Sequence, residues 1–163
     1  MKAFRTALSL SAACALALAV GVLAHPAGTH ADAAPSATGA GHFQSGGALR
    51  TFSFEAHSTG PGTAATGQAQ LNNRSLDTVD HIQIDCLAVF GNVADIGGTI
   101  TSSNTPAFVG LHGVFSVIDN GQSNGSPEDQ ITLFFFPTAP GTCIANFTGF
   151  YINIDGGAVQ VRG

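Results

Sequence analysis

The residues best placed to do chemistry fall at one tip. Between the apolar runs FVGLHGVFSVI and ITLFFF, Asp119, Asn120, Asn124, Glu128 and Asp129 bring hard oxygen donors to one glycine-rich loop. Oxygen donors of this kind suit Ca²⁺. The spacing is not that of an EF-hand loop, and Asp-Asn-Gly is also what a hairpin uses where φ must turn positive. The five residues therefore stand as calcium candidates, with plain turn chemistry as the alternative. No other cofactor is expected.

Two cysteines, Cys86 and Cys143, lie outside the leader that contains Cys14. In an exported chain such a pair is expected to form a disulfide, with buried free thiols as the alternative. The histidines are scattered. His25 and His30 fall in the leader or linker, and His42, His57, His81 and His112 on different elements. His81 and Asp85 share a strand face but lie roughly 13 Å apart along an extended chain, too far for one metal. No H-x-H or H-E-x-x-H motif occurs, and no G-x-S-x-G elbow. The acid pairs Asp77/Asp80 and Glu128/Asp129 read as solvated loop residues. No catalytic set emerges, and the chain is expected not to be an enzyme.

The N-terminus sets the compartment. Lys2 and Arg5 precede an apolar stretch from Ala7 to Ala24, followed by small residues with cleavage expected after Ala24, Ala31 or Ala33. This is the pattern of a secretory signal peptide, so residues 1–33 read as signal peptide and cleavage region. Residues 34–48, small and without periodicity, read as a flexible linker. Residues 49–163 read as a single β-domain, long enough for one core. The mature chain is expected to be secreted or at the cell surface, with no membrane span. Arg50, Arg74 and Arg162 are its only basic residues, in a sequence of net charge −5. Nucleic acid is therefore excluded as a partner.

The elements that must position these residues are strands. Phe108–Phe136 reads as a long β-hairpin, with Phe115 and Val117 sharing a face. Its second arm is apolar on both faces, so Phe134 and Phe136 are expected to meet a covering loop or an oligomer partner. Upstream, Phe52, Phe54 and Ala56 share a face with polar residues around them, and Ala65, Gly67, Ala69 and Leu71 alternate more weakly. Ile82, Ile84, Cys86, Ala88 and Phe90 form an expected inward face. Gly91-Asn92 supplies a tight turn, Gly97-Gly98 a bulge or bend. Asp155-Gly156-Gly157 reads as a hairpin turn before an inward Val159 and Val161. About eight strands with a turn every ten or so residues predict an all-β fold, an antiparallel barrel or Greek-key sandwich.

Cys86-Leu87-x-Val89-x-Gly91-Asn92-x-Ala94-x-Ile96-x-Gly98, then Val117-x-Asp119-Asn120-Gly121, Asp129-x-Ile131 and Gly157-x-Val159-x-Val161 carry a resemblance. Over His42–Gly163 the chain resembles small exported bacterial all-β proteins of unassigned function. It is also similar to the domain that follows choice-of-anchor modules in surface proteins. The resemblance implies an extracellular β-domain and no reaction. The expectation is a non-catalytic binding or accessory module for an extracellular protein, a glycan or a small apolar ligand. A carrier of small apolar ligands in a barrel cavity, and a loop-sited hydrolase, are the alternatives.

Overall fold

The computed structural model describes residues 34–134, 137–143 and 150–163, all within the unit Ala31–Gly163. Residues 1–33, expected to be signal peptide and cleavage region and including Cys14, lie outside the described residues. Nine strands follow in chain order: β1 Ser36–Ser45, β2 Ala48–Ser58, β3 Ala64–Asn73, β4 Thr78–Phe90, β5 Val93–Ser103, β6 His112–Ile118, β7 Gln130–Ile131, β8 Ile152–Asn153 and β9 Gly156–Arg162. They form one antiparallel sheet in the order β8-β7-β6-β5-β4-β3-β2-β1-β9. The all-β class is as expected. In place of two sandwiched sheets with Greek-key crossings there is one curled sheet, a half-barrel, in which neighbours in sequence pair in turn.

The curl follows from the last connection. β8 and β9 lie at opposite margins of the sheet order, yet only Ile154 and Asp155 separate them. Three Cα steps reach at most about 11 Å, so the two margins must come together there. The Asp155-Gly156-Gly157 segment is therefore a crossing between margins and not the expected hairpin. Asp155 N–H donates to His42 O of β1 at 2.9 Å, and Ile154 N–H to Asp129 O at 2.8 Å.

The expected linker 34–48 is corrected as well, because it supplies β1 and the start of β2. Gly46 and Gly47, at φ 60° and 76°, make the two-residue turn between them, the conformation that glycine adopts without strain. The inward positions of β1 are Ala37, Gly39, Gly41 and Phe43. A Cβ on Gly39 would lie 2.8 Å from the Phe54 ring and 2.7 Å from Val159. The small residues thus make room for the large rings of the next strand. Phe43, Phe52, Phe54, Phe115 and Phe134 run as a chain of rings through the interior, with centroids 5.5 to 6.3 Å apart, within the range of favourable aromatic pairs.

Alternation along β4 breaks once. Ile82 and Ile84 face the core, but the ladder with β5 shifts between Ile84 and Cys86, leaving Asp85 as the extra residue of a bulge. Beyond it the parity inverts. Leu87 turns inward, while Cys86 and Ala88 join Cys143 in a separate cluster on the outer face. Phe90 is 56 % exposed. The expected inward face Ile82–Phe90 therefore holds only for its first half.

The β6–β7 hairpin is shorter on its second arm than expected. Only Gln130 and Ile131 pair with β6, and Thr132 N–H still reaches Ser116 O at 2.9 Å. Leu133 and Phe134 then pack against the core, so the Phe134 ring is held within its own chain. Phe136 lies outside the described residues. Residues 137–143 return over the outer face of β4–β6. Thr138 N–H donates to His112 O at 3.0 Å, and Cys143 is bonded to Cys86 with a Cα separation of 5.6 Å.

Candidate functional site

Rings and aliphatic side chains pack the interior, and one end of the sheet carries the β1–β2 and β3–β4 turns. There a cavity of about 220 Å³ opens, walled by Phe43, Leu71, Phe108 and Phe134 together with Arg50 and Asp80. Strand parity places both charged groups inside. Arg50 is two residues from Phe52 on β2, and Asp80 two residues from Ile82 on β4, and alternate residues share a face. Asp80 is 9 % exposed. Its Oδ1 and the Nε of Arg50 are buried with no hydrogen-bond partner among the described residues. Such a group costs about 1–3 kcal/mol when left unmet. The wall thus offers one unused donor and one unused acceptor in a mainly apolar recess, whose other polar residues are Thr51, Asn72, Asn73, Thr78 and Thr132. Asp80 is a strand residue facing this recess, not the solvated loop acid expected. Both positions could have been found by extending the Phe52–Phe54 and Ile82–Ile84 alternation one step toward the N-terminus.

The acidic tip lies at the opposite end, beside the Gly91-Asn92 turn, where Asp119 N–H donates to Asn92 O at 2.9 Å. Its five donors do not act as one set. Asp129 Oδ1 accepts from Asn120 N–H and Oδ2 from Val159 N–H, both at 2.9 Å. Asp119 Oδ1 accepts from Gly121 N–H at 2.9 Å and Oδ2 from Val161 N–H at 3.0 Å. Asn120 Nδ2 donates to Glu128 O at 2.7 Å. The side chains of Asn124 and Glu128 are exposed. Two of the calcium candidates therefore bind backbone of β9, which lies at the far margin of the sheet order.

A second polar cluster lies on the outer face of β4–β6, beneath residues 137–143. The bulge aims Asp85 at His112, and Asp85 Oδ1 lies 3.0 Å from His112 Nε2. Thr138 Oγ1 lies 2.7 Å from Nδ1 of the same ring. The carboxylate–imidazole–hydroxyl order is that of a hydrolytic triad. However, His112 is only 4 % exposed, both ring nitrogens are engaged, and none of the three residues lines the cavity. Four residues further along β6, Ser116 Oγ donates to Asp95, and burial raises the Tyr151 phenol pKa, with a Ser116 hydrogen bond opposing it and the Asp95 charge adding to it. Of the other described histidines, His57 meets Glu55 at the surface at 3.2 Å, and His42 and His81 are exposed. Sequence spacing considered His81 with Asp85. The fold instead brings Asp85 to a histidine 27 residues away, and no local motif announces that meeting. No family model, curated protein or solved structure matches the chain.

Proposed function

We propose that this chain is an exported, non-catalytic binding domain, and that its site is the recess holding Arg50 and Asp80. The ligand is a small, mainly apolar molecule with one neutral polar group that both donates and accepts. The observation that carries this reading is the pair of buried polar atoms without a partner among the described residues, in a wall of aromatic and aliphatic side chains that also includes Thr51, Asn72, Asn73, Thr78 and Thr132. A hydroxyl or a primary amide accepts from Arg50 Nε and donates to Asp80 Oδ1. A carboxylate serves only the arginine and brings its charge against Asp80, and an ammonium does the reverse. The volume exceeds the roughly 150 Å³ that accommodates benzene and falls short of the roughly 300–1,000 Å³ of larger ligand sites. One ring, or a short branched chain, fills it. On this reading the curled sheet serves as a barrel whose seam is closed by Asp119 and Asp129, leaving one end open.

The test is titration with benzyl alcohol, benzamide, toluene, benzoate and benzylamine, followed by amide chemical shifts. The alcohol and the amide are expected to shift residues around the recess and to bind at least tenfold tighter than the other three. Asp80→Leu is expected to weaken them tenfold or more while raising the melting temperature of the unliganded protein, since it removes an unmet buried carboxylate. Absence of shifts near Arg50 and Asp80 with every probe, or equal binding by the Asp80→Leu variant, would overturn the reading.

A further inference from the structure

The outer-face cluster holds more ligating chemistry than the disulfide state uses. One oxygen of Asp85, the Sγ of Cys86 and a ring nitrogen of His112 all lie within 4.8 Å of one another. Cys143 Sγ is attached to Cys86 Sγ, so opening that bond sets a fourth donor beside the other three. We propose that the dithiol form of the chain binds one zinc ion through Cys86, Cys143, His112 and Asp85, and that disulfide formation expels it.

The geometry fits a tetrahedral ion. Nitrogen and oxygen ligands at about 2.0–2.1 Å from zinc lie roughly 3.3 Å from each other, and His112 Nε2 is 3.0 Å from Asp85 Oδ1. Thr138 Oγ1 holds Nδ1 at 2.7 Å. A hydroxyl can donate to that nitrogen or accept from it, so it supports the tautomer with Nε2–H facing Asp85. It equally supports the one with Nε2 free for metal, the second contact that metal-bound imidazoles use. Gly97 lets these groups approach the strand closely. A Cβ on Gly97 would lie 2.5 Å from Cys86 Sγ and 3.4 Å from His112 Cε1. Cys86, Cys143 and His112 are buried, while the Asp85 side chain is 36 % exposed and gives the ion its way in. Two thiolates with an imidazole and a carboxylate are borderline-soft donors, which suit zinc over calcium or magnesium.

The exchange balances. A small-molecule disulfide takes two electrons from the two zinc-bound thiolates. The Cys86–Cys143 bond forms, the oxidant's sulfur–sulfur bond breaks to two thiolates, and Zn²⁺ leaves. A dithiol reductant reverses it. This site is independent of the recess holding Arg50 and Asp80.

The experiment uses the full chain with Cys14→Ser, kept reduced by a phosphine, and Co²⁺ as the spectroscopic probe. The reduced protein is expected to take up one equivalent, with thiolate-to-cobalt charge transfer and the visible bands of a tetrahedral site. Zn²⁺ should displace the cobalt, and oxidised glutathione should release either ion. The disulfide form should bind none. Asp85→Asn, at a partly exposed position, is expected to keep the strand-dominated circular dichroism and to lose about tenfold in affinity. His112→Gln should lose about a hundredfold. The proposal fails if the reduced chain shows no tetrahedral cobalt spectrum, or if both variants bind cobalt as tightly as the parent.

Discussion

At the scale of single residues, the chain contains one tyrosine and no tryptophan, which makes Tyr151 its own optical reporter. Burial disfavours the phenolate, and the nearby Asp95 charge disfavours it further, against a smaller stabilisation by Ser116. The folded state therefore holds this proton more tightly than the unfolded chain does. The corresponding stability is fully present below the unfolded value near 10.0 and is lost as pH rises through the higher folded value. Absorbance at the phenolate band should titrate with a midpoint above 10.0, and Tyr151→Phe should flatten the alkaline fall in denaturation midpoint. A native-state midpoint at or below 10.0 would show that the phenol is not in the environment described. Arg50 and Asp80 carry a different lesson. The sequence pattern predicts strands beside both, yet sets Arg50 among the polar residues around Phe52 and Asp80 in the loop before His81. A strand's parity places a residue whatever its polarity, and a charged residue in phase with Phe52 or Ile82 marks a site.

At the scale of elements, the margin of β9 away from β1 has no partner strand among the described residues, and two carboxylates supply its acceptors. Val159 and Val161 are two residues apart, so their N–H groups point to the same edge. Asp129 and Asp119 meet them from the tip between β6 and β7. Asp129 is buried and accepts two backbone donors. Asp129→Ala is expected to cost about 3 kcal/mol in urea denaturation, at the level of charge-assisted hydrogen bonds with a buried N–H left unmet. Asp119→Ala, at a less buried position, is expected to cost about 1 kcal/mol. Two costs below about 0.5 kcal/mol, the range of ordinary surface substitutions, would show that the carboxylates do not hold the seam. β2 and β4 to β6 were legible because Phe and β-branched residues recur along them, and β3 more weakly through Ala65, Gly67, Ala69 and Leu71. The sequence hid β1, whose inward positions are mostly alanine and glycine and whose partner supplies the bulk. It also hid the bulge at Asp85, since a single inserted residue reverses the parity of everything after it without changing composition. The oxygen donors at the tip were visible, but their targets on β9 lie 30 and 42 residues downstream.

At the scale of the whole molecule, two long-range ties hold a sheet whose other pairings are between neighbours in sequence. One is the β1–β9 ladder, which joins the first strand to the last. The other is the disulfide, which clamps residues 137–143 over β4–β6 across a sequence separation of 57. The cysteine pair was readable from its count and from the compartment expected for the chain. What it clamps was not, because the segment has no periodicity and lies flat on a face that includes the polar His112 and Ser116. On the chain-entropy estimate, closing a loop of this size stabilises the fold by about 4 kcal/mol, a large share of the roughly 5–15 kcal/mol typical of a domain. Replacing both cysteines with alanine should lower the unfolding free energy by about that amount. It should also raise the denaturant dependence, since the unlinked unfolded chain exposes more surface. The double variant should keep its strand-dominated circular dichroism, because the ladders that pass through Cys86, to Ala64 and Gly97, are backbone pairings that do not need the bridge. A loss below about 1 kcal/mol, with unchanged denaturant dependence, would mean that the unfolded chain gains little freedom without the bridge. The curled sheet would then hold its covering segment by packing and the Thr138–His112 hydrogen bonds alone.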